Sequence, residues 1–85
     1  KSDGVDITGE LQCDTLDVDG AANISDNLVM SNAANVYLQD SGELIFGNGS
    51  DLKIYHDGSH SYIEDVGTGD LTIRQNKENQ DIILL

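Results

Sequence analysis

Leucine, isoleucine and valine fall at alternate positions in short runs along the chain, many of them opened by a small or turn-forming residue and an acidic one. The motif reads GELQC at Gly9–Cys13, GELIF at Gly42–Phe46, SDLKI at Ser50–Ile54 and GDLTI at Gly69–Ile73. Looser copies are TLDV at Thr15–Val18, DNLVM at Asp26–Met30 and NVYL at Asn35–Leu38. A period of two puts every second side chain on one face, so each run predicts a strand with one dry side. Turn formers part the runs at Asp19-Gly20, Ser41-Gly42, Asn48-Gly49, Asp57-Gly58 and Gly67-Thr68-Gly69. The leading apolar residue recurs at even spacing through Leu28, Val36, Leu44 and Leu52, as in a repetitive β architecture. The likeness of GNGSDLKIY at Gly47–Tyr55 to GTGDLTIR at Gly67–Arg74, after one deletion, extends the repeat.

Helices have little support. Asn, Asp, Ser, Thr and Gly disfavour helix interiors, and the loosely helical spacing of Ala22, Ile24, Leu28 and Ala33 is interrupted by asparagines. Proline, which cannot donate to a ladder, is absent. The expectation is therefore an all-β fold of short strands, with an N-terminal ladder segment over 1–30 and a repeat segment over 31–85. The apolar ending Ile82–Leu85 is read as running on into a further element.

Each run offers only two inward residues, so one chain winding such strands would enclose a thin core and leave sheet edges open to water. Several copies about a common axis solve both problems. The inward set is then Leu11, Cys13, Leu16, Val18, Leu28, Met30, Val36, Leu38, Leu44, Phe46, Leu52, Ile54, Leu71 and Ile73, meeting their symmetry mates in a homotrimer whose folding and assembly are one event.

Composition narrows the partners. Sixteen acidic residues against four basic ones give a net charge of −12, which repels nucleic acid and anionic lipid head groups. The acids are interspersed, as on a solvated face. No stretch approaches the about 18 apolar residues of a membrane helix, so membrane insertion is not expected. A single cysteine, Cys13, rules out an internal disulfide and multi-cysteine zinc frameworks, and reads as a small hydrophobe.

The run FGNGSDLKIYHDGSHSYIEDVGTGDLTIR, Phe46–Arg74, resembles segments that recur in tail-fibre and tail-spike proteins of phages, particularly of marine bacteria. GELQCDTLDVDGAANISDNLVM is similar to the Leu-x-Val-x-Gly ladders of the same proteins. Together the two stretches cover about two thirds of the chain, and the KIYHDG, SYIED and TGDLTIR blocks in that order are the distinctive part. The resemblance implies a homotrimeric shaft wound as a triple β-helix or β-prism, located in the virion's tail fibre beside other tail or fibre proteins. It implies no enzymatic activity.

Candidate sites are few. His56 and His60 are weak metal candidates: some fibres of this kind hold iron on the axis with a pair of histidines separated by one residue, whereas here three residues intervene around Gly58. GNGSDL at Gly47–Leu52 has the glycines of a calcium-binding nonapeptide, but Lys53 occupies the apolar position. Asp17-Val18-Asp19-Gly20 lacks the closing glutamate of a calcium loop. No cofactor is expected. His56, Asp57, Ser59 and Ser61 are neighbours in a turn, a poor frame for nucleophile, base and orienter, and Glu64 and Asp65 would face opposite ways on a strand. Among Tyr37, Tyr55 and Tyr62, the pair Tyr55 and Tyr62 are the weak ligand candidates, for stacking on a host surface glycan. The main expectation is a structural fibre segment that positions a receptor-binding tip. The alternatives are a carbohydrate-binding module acting through the 55–62 loop and a calcium-binding repeat adhesin.

Overall fold

A computed structural model describes residues 4–85 of the chain. Every regular element among them is a β-strand: β1 (Glu43–Phe46), β2 (Leu52–His56) and β3 (Ser61–Asp65), joined as an antiparallel meander in the order β1-β2-β3. The fold is all-β, and no helix occurs among the described residues. The stretch with loosely helical spacing is instead broken by a turn in which Asn32 and Ala33 both take positive φ, at 58° and 62°. Two consecutive left-handed residues cannot continue a right-handed helix.

Two hairpins explain why the strands sit where they do. Gly47–Ser50 closes the first, with the Ser50 N–H donating to the Gly47 carbonyl at 3.1 Å and the Asp51 N–H to the Phe46 carbonyl at 2.9 Å. Gly47 adopts φ 91°, which a side chain would resist. The second hairpin turns on Gly58-Ser59, with Gly58 at φ 97° in the first central position, where a II′ turn calls for positive φ.

The register pairs Leu44 with Ile54 and Phe46 with Leu52 across β1 and β2, then Ile54 with Ile63 and Tyr55 with Tyr62 across β2 and β3. Alternation then puts Leu44, Phe46, Leu52, Ile54 and Ile63 on one face, and Glu43, Lys53, Tyr55, Tyr62 and Glu64 on the other. The expected strands at GELIF and SDLKI are thus β1 and β2, and their inward residues share a face.

The other expected strands need correction. GELQC, TLDV, DNLVM, NVYL and GDLTI lie outside any ladder, while SYIED, absent from the motif set, forms β3. A run of alternating residues becomes a strand only where another backbone supplies donors and acceptors in register. β1 and β3 gain theirs from tight hairpins to β2, and the remaining runs have no such neighbour in their own chain.

A single sheet has nothing to pack against. No described residue is buried; Leu44 is 43% exposed and Ile63 60%. Of the expected inward set, Leu52 is half-buried and the others, Cys13 included, are exposed in the isolated chain. The chain divides into one unit ending at Ser31 and another spanning Asn32–Leu85, and all three strands belong to the second.

Candidate functional site

The β2–β3 hairpin gathers most of the residues with chemical potential. Asp57 organises its tip: the carboxylate Oδ1 accepts the Ser59 N–H at 2.9 Å and the His60 N–H at 2.8 Å, while the Asp57 N–H donates to the His60 carbonyl at 3.0 Å. The His60 and Ser59 amides, which favour the charged form, hold the Asp57 carboxyl below its ordinary value. This is the side-chain-to-backbone bonding for which aspartate is favoured in turns. Asp40 lies near the same tip, its Oδ2 3.5 Å from where a side chain on Gly58 would begin.

Below the tip, Tyr55 and Tyr62 are directly opposed and stack at 5.0 Å between ring centroids with 28° between planes. The Tyr55 hydroxyl donates to Glu64 Oε1 at 3.3 Å, and Lys53 Nζ lies 3.7 Å from Glu43 Oε1 on the same face. Partial burial and then the Glu64 carboxylate raise the Tyr55 phenol above its ordinary value, because both disfavour a second negative charge. His60 meets the edge of Tyr62 at 6.3 Å. Tyr37, the third candidate, is 85% exposed and stacks on neither.

On the other face His56 Nδ1 and Ser61 Oγ are 2.9 Å apart, a cross-strand pair. Hydroxyl and imidazole therefore meet, but the nearby Asp57 Oδ1 is committed to the turn's own amides. The arrangement gives a hydrogen-bonded Ser–His pair without the carboxylate that would orient the ring. His56 and His60 stand on either side of the turn with different partners. Among the described residues no group of three or more His, Cys, Asp or Glu is placed to hold a metal ion. Val36 and Leu38 combine with Ile54, Tyr55 and His56 of β2 and Ser61, Tyr62 and Ile63 of β3 to line an open groove of about 710 Å³.

Sequence reasoning missed the part played by Asp51. Its carboxyl group nests against Gly47, Gly49 and Gly67, where added side chains would collide with it or press tightly against it. Its carbonyl accepts the N–H groups of Val66 at 2.8 Å and Gly67 at 3.1 Å. The glycines that gave GNGSDL the look of a calcium loop instead make room for an aspartate that ties the β1–β2 corner to the exit of β3. The signal was present, since Gly47, Gly49 and Gly67 flank Asp51 and the start of its repeat, but their convergence appears only in three dimensions. Ile63 was also missed, because SYIED carries no leucine after its opening acid. The chain matches no family model, no curated protein and no solved structure.

Proposed function

We propose that this chain is a segment of the shaft of a trimeric phage tail fibre or spike, a structural element that supports and positions host-receptor binding. The observation that carries the reading is the uncovered apolar face of the sheet. Leu44, Phe46, Leu52, Ile54 and Ile63 lie together on one side with no second layer over them. A three-stranded meander exposing that side has little reason to be stable alone, and threefold association supplies the missing layer at no cost in sequence. The sheet's other side is already served by the Lys53–Glu43 and Tyr55–Glu64 contacts, so it faces outward. The runs GELQC, TLDV, DNLVM, NVYL and GDLTI, unpaired in one chain, fit the same design as strands of an intertwined triple β-helix or β-prism. The interspersed acids keep its exterior soluble. The resemblance of the KIYHDG, SYIED and TGDLTIR blocks to phage fibre repeats supplies the biological setting. The deciding experiment is the mass of the folded chain by light scattering at micromolar concentration. A trimer whose unfolding midpoint rises with concentration is expected, and a stably folded monomer overturns the reading.

One observation favours a second reading. Tyr55 and Tyr62 stack on the face that also carries Glu43, Lys53 and Glu64, the mixture of aromatic face and polar handles that suits a sugar. On that reading the hairpin itself touches host surface glycan. Binding on a glycan array that vanishes in a Tyr62→Ala trimer supports it, and a silent array removes it.

A further inference from the structure

The outer edge of β3 is open, and the sequence carries a strand that fits it. The Asp57 N–H bonds the His60 carbonyl and the Val66 N–H bonds the Asp51 carbonyl, both in the β2–β3 register. Antiparallel bonding alternates, so between those points Tyr62 and Glu64 turn their backbone groups toward β2 while Ser61, Ile63 and Asp65 turn theirs outward. Such an edge recruits another strand unless it is blocked by proline, a bulge or a cover, and the chain has no proline.

The candidate is the segment Asp70–Arg74. GDLTI repeats SDLKI, the sequence that becomes β2 between two neighbours, yet it joins no ladder in its own chain. The offset that carries Leu52 onto Leu71 and Ile54 onto Ile73 also carries Phe46 onto Asp65 and Leu44 onto Ile63. Transferring the β1–β2 register therefore pairs Ile63 with Ile73 and Asp65 with Leu71. The chain cannot make this hairpin the way it made the first. The first corner depends on Gly47 at φ 91°, and the same offset puts Val66 in that place. A β-branched residue resists positive φ, and the Val66 and Gly67 amides are already held by the Asp51 carbonyl. The edge and its matching strand are thus kept apart within one chain.

We infer that Asp70–Arg74 of one copy adds antiparallel to the outer edge of β3 of a neighbouring copy, with Ile73 opposite Ile63. The inference rests on the self-association proposed above. Ile73 then extends the apolar row Leu44, Ile54, Ile63. On the other face Arg74, one of four basic residues in the chain, comes opposite Tyr62 and within diagonal reach of Glu64. A cation thereby meets an aromatic face and a carboxylate in a molecule otherwise crowded with acids.

The register predicts one disulfide. Glu64 would oppose Thr72 in a non-hydrogen-bonded pair, with Cα atoms about 4.5 Å apart, a separation that a disulfide spans. Glu64→Cys with Thr72→Cys, in a Cys13→Ser background, is therefore expected to give dimer and trimer bands on a non-reducing gel after mild oxidation. Glu64→Cys with Ile73→Cys, on opposite faces, is expected to stay uncross-linked. A cross-link confined to single chains overturns the inference, as does a chain of trimeric mass that fails to cross-link at Glu64 and Thr72; the second result leaves the trimeric reading standing. Monomeric mass removes both. Hydrogen exchange in the unsubstituted chain gives a check free of folding defects: slow exchange of the Ile63 amide is expected, and fast exchange beside protected Tyr62 and Glu64 amides overturns the inference.

Discussion

Replacing Gly67 by alanine isolates the role of Asp51 as the clamp between the β1–β2 corner and the end of β3. A Cβ on Gly67 would stand 2.6 Å from the Asp51 Cβ and 2.7 Å from its Cγ, with Oδ1 nearer still. Gly67 lies outside the left-handed region, so the penalty is one of space and not of backbone conformation. Overpacking of this kind costs about 1–3 kcal/mol. Removing a glycine from the unfolded chain returns about 0.4–1 kcal/mol. The net loss is then about 1–2 kcal/mol, and a chain of this size loses about 4–8 °C of midpoint per kcal/mol. The diagnostic step is rescue. Asp51→Ala keeps the offending Cβ and should recover little, whereas Asp51→Gly removes every colliding atom and should recover most of the loss.

Gly47 supplies the contrast. A Cβ there meets the Asp51 carboxylate first and its Cβ only at 3.1 Å, so Asp51→Ala relieves most of the collision. Gly47→Ala nevertheless retains the penalty of φ 91°, about 1–2 kcal/mol for a residue with a side chain. Thermal unfolding followed by circular dichroism, at fixed protein concentration, reads all of these variants. A Gly67→Ala midpoint equal to the parent's, or rescue by Asp51→Ala as complete as by Asp51→Gly, would refute the clamp.

Other consequences are open to measurement. Ile54→Asp should abolish the proposed trimer in sedimentation, because on that reading three carboxylates would be desolvated together on the inner face; a folded trimer of this variant means that the other face is inside. Cys13 is exposed in the single chain but belongs to the expected inward set, so a thiol reagent should label it slowly in the assembled protein and rapidly after dissociation. The Asp57 carboxyl is lowered by folding, so its contribution to stability is complete above the ordinary value of 3.8 and is lost as pH falls through the lower folded value. Asp57→Asn, which can still accept from both amides, should flatten that acid limb in pH-dependent unfolding. The Tyr55 phenol is raised, so its contribution persists below the ordinary value of 10.0 and is lost as pH climbs through the folded value. Ultraviolet titration should show Tyr55 ionising late, shifted back toward its ordinary value in Glu64→Gln.

Legibility in the sequence followed the range of the interactions. The Leu44–Phe46 and Leu52–Ile54 strands were readable because alternation, flanking glycines and a short connection all act within a few residues, and the common face of their side chains follows from that alternation. The turn at Gly58 was readable for the same reason. The aspartate that fills the glycine corner was not, since Asp51 and Gly67 are brought together by the completed meander. Nor was the His56–Ser61 contact, which depends on the β2–β3 register and not on proximity in a turn. The sequence reading of His56, Asp57, Ser59 and Ser61 treated them as neighbours in one loop. The structure divides them between strand ends and turn, and spends the aspartate on the turn.

The five outlying runs expose the deeper limit. Alternation is a property of one chain, but a ladder belongs to two, so GDLTI and SDLKI can share a pattern and differ in fate. At the offset that carries SDLKI onto GDLTI, the preceding corners Gly47–Asp51 and Val66–Asp70 share only their aspartate, and valine at 66 stands where glycine at 47 takes positive φ. Glycine lets the chain fold SDLKI back on the strand just made, and valine sends GDLTI away from it. A repeat protein that made every corner permissive would close its ladders locally and end as a row of independent meanders. Withholding the permissive residue at one corner, as at Val66, leaves an edge and a matching strand unsatisfied within the chain. On the trimeric reading proposed above, that unsatisfied edge is what a neighbouring copy completes, and stability then depends on assembly.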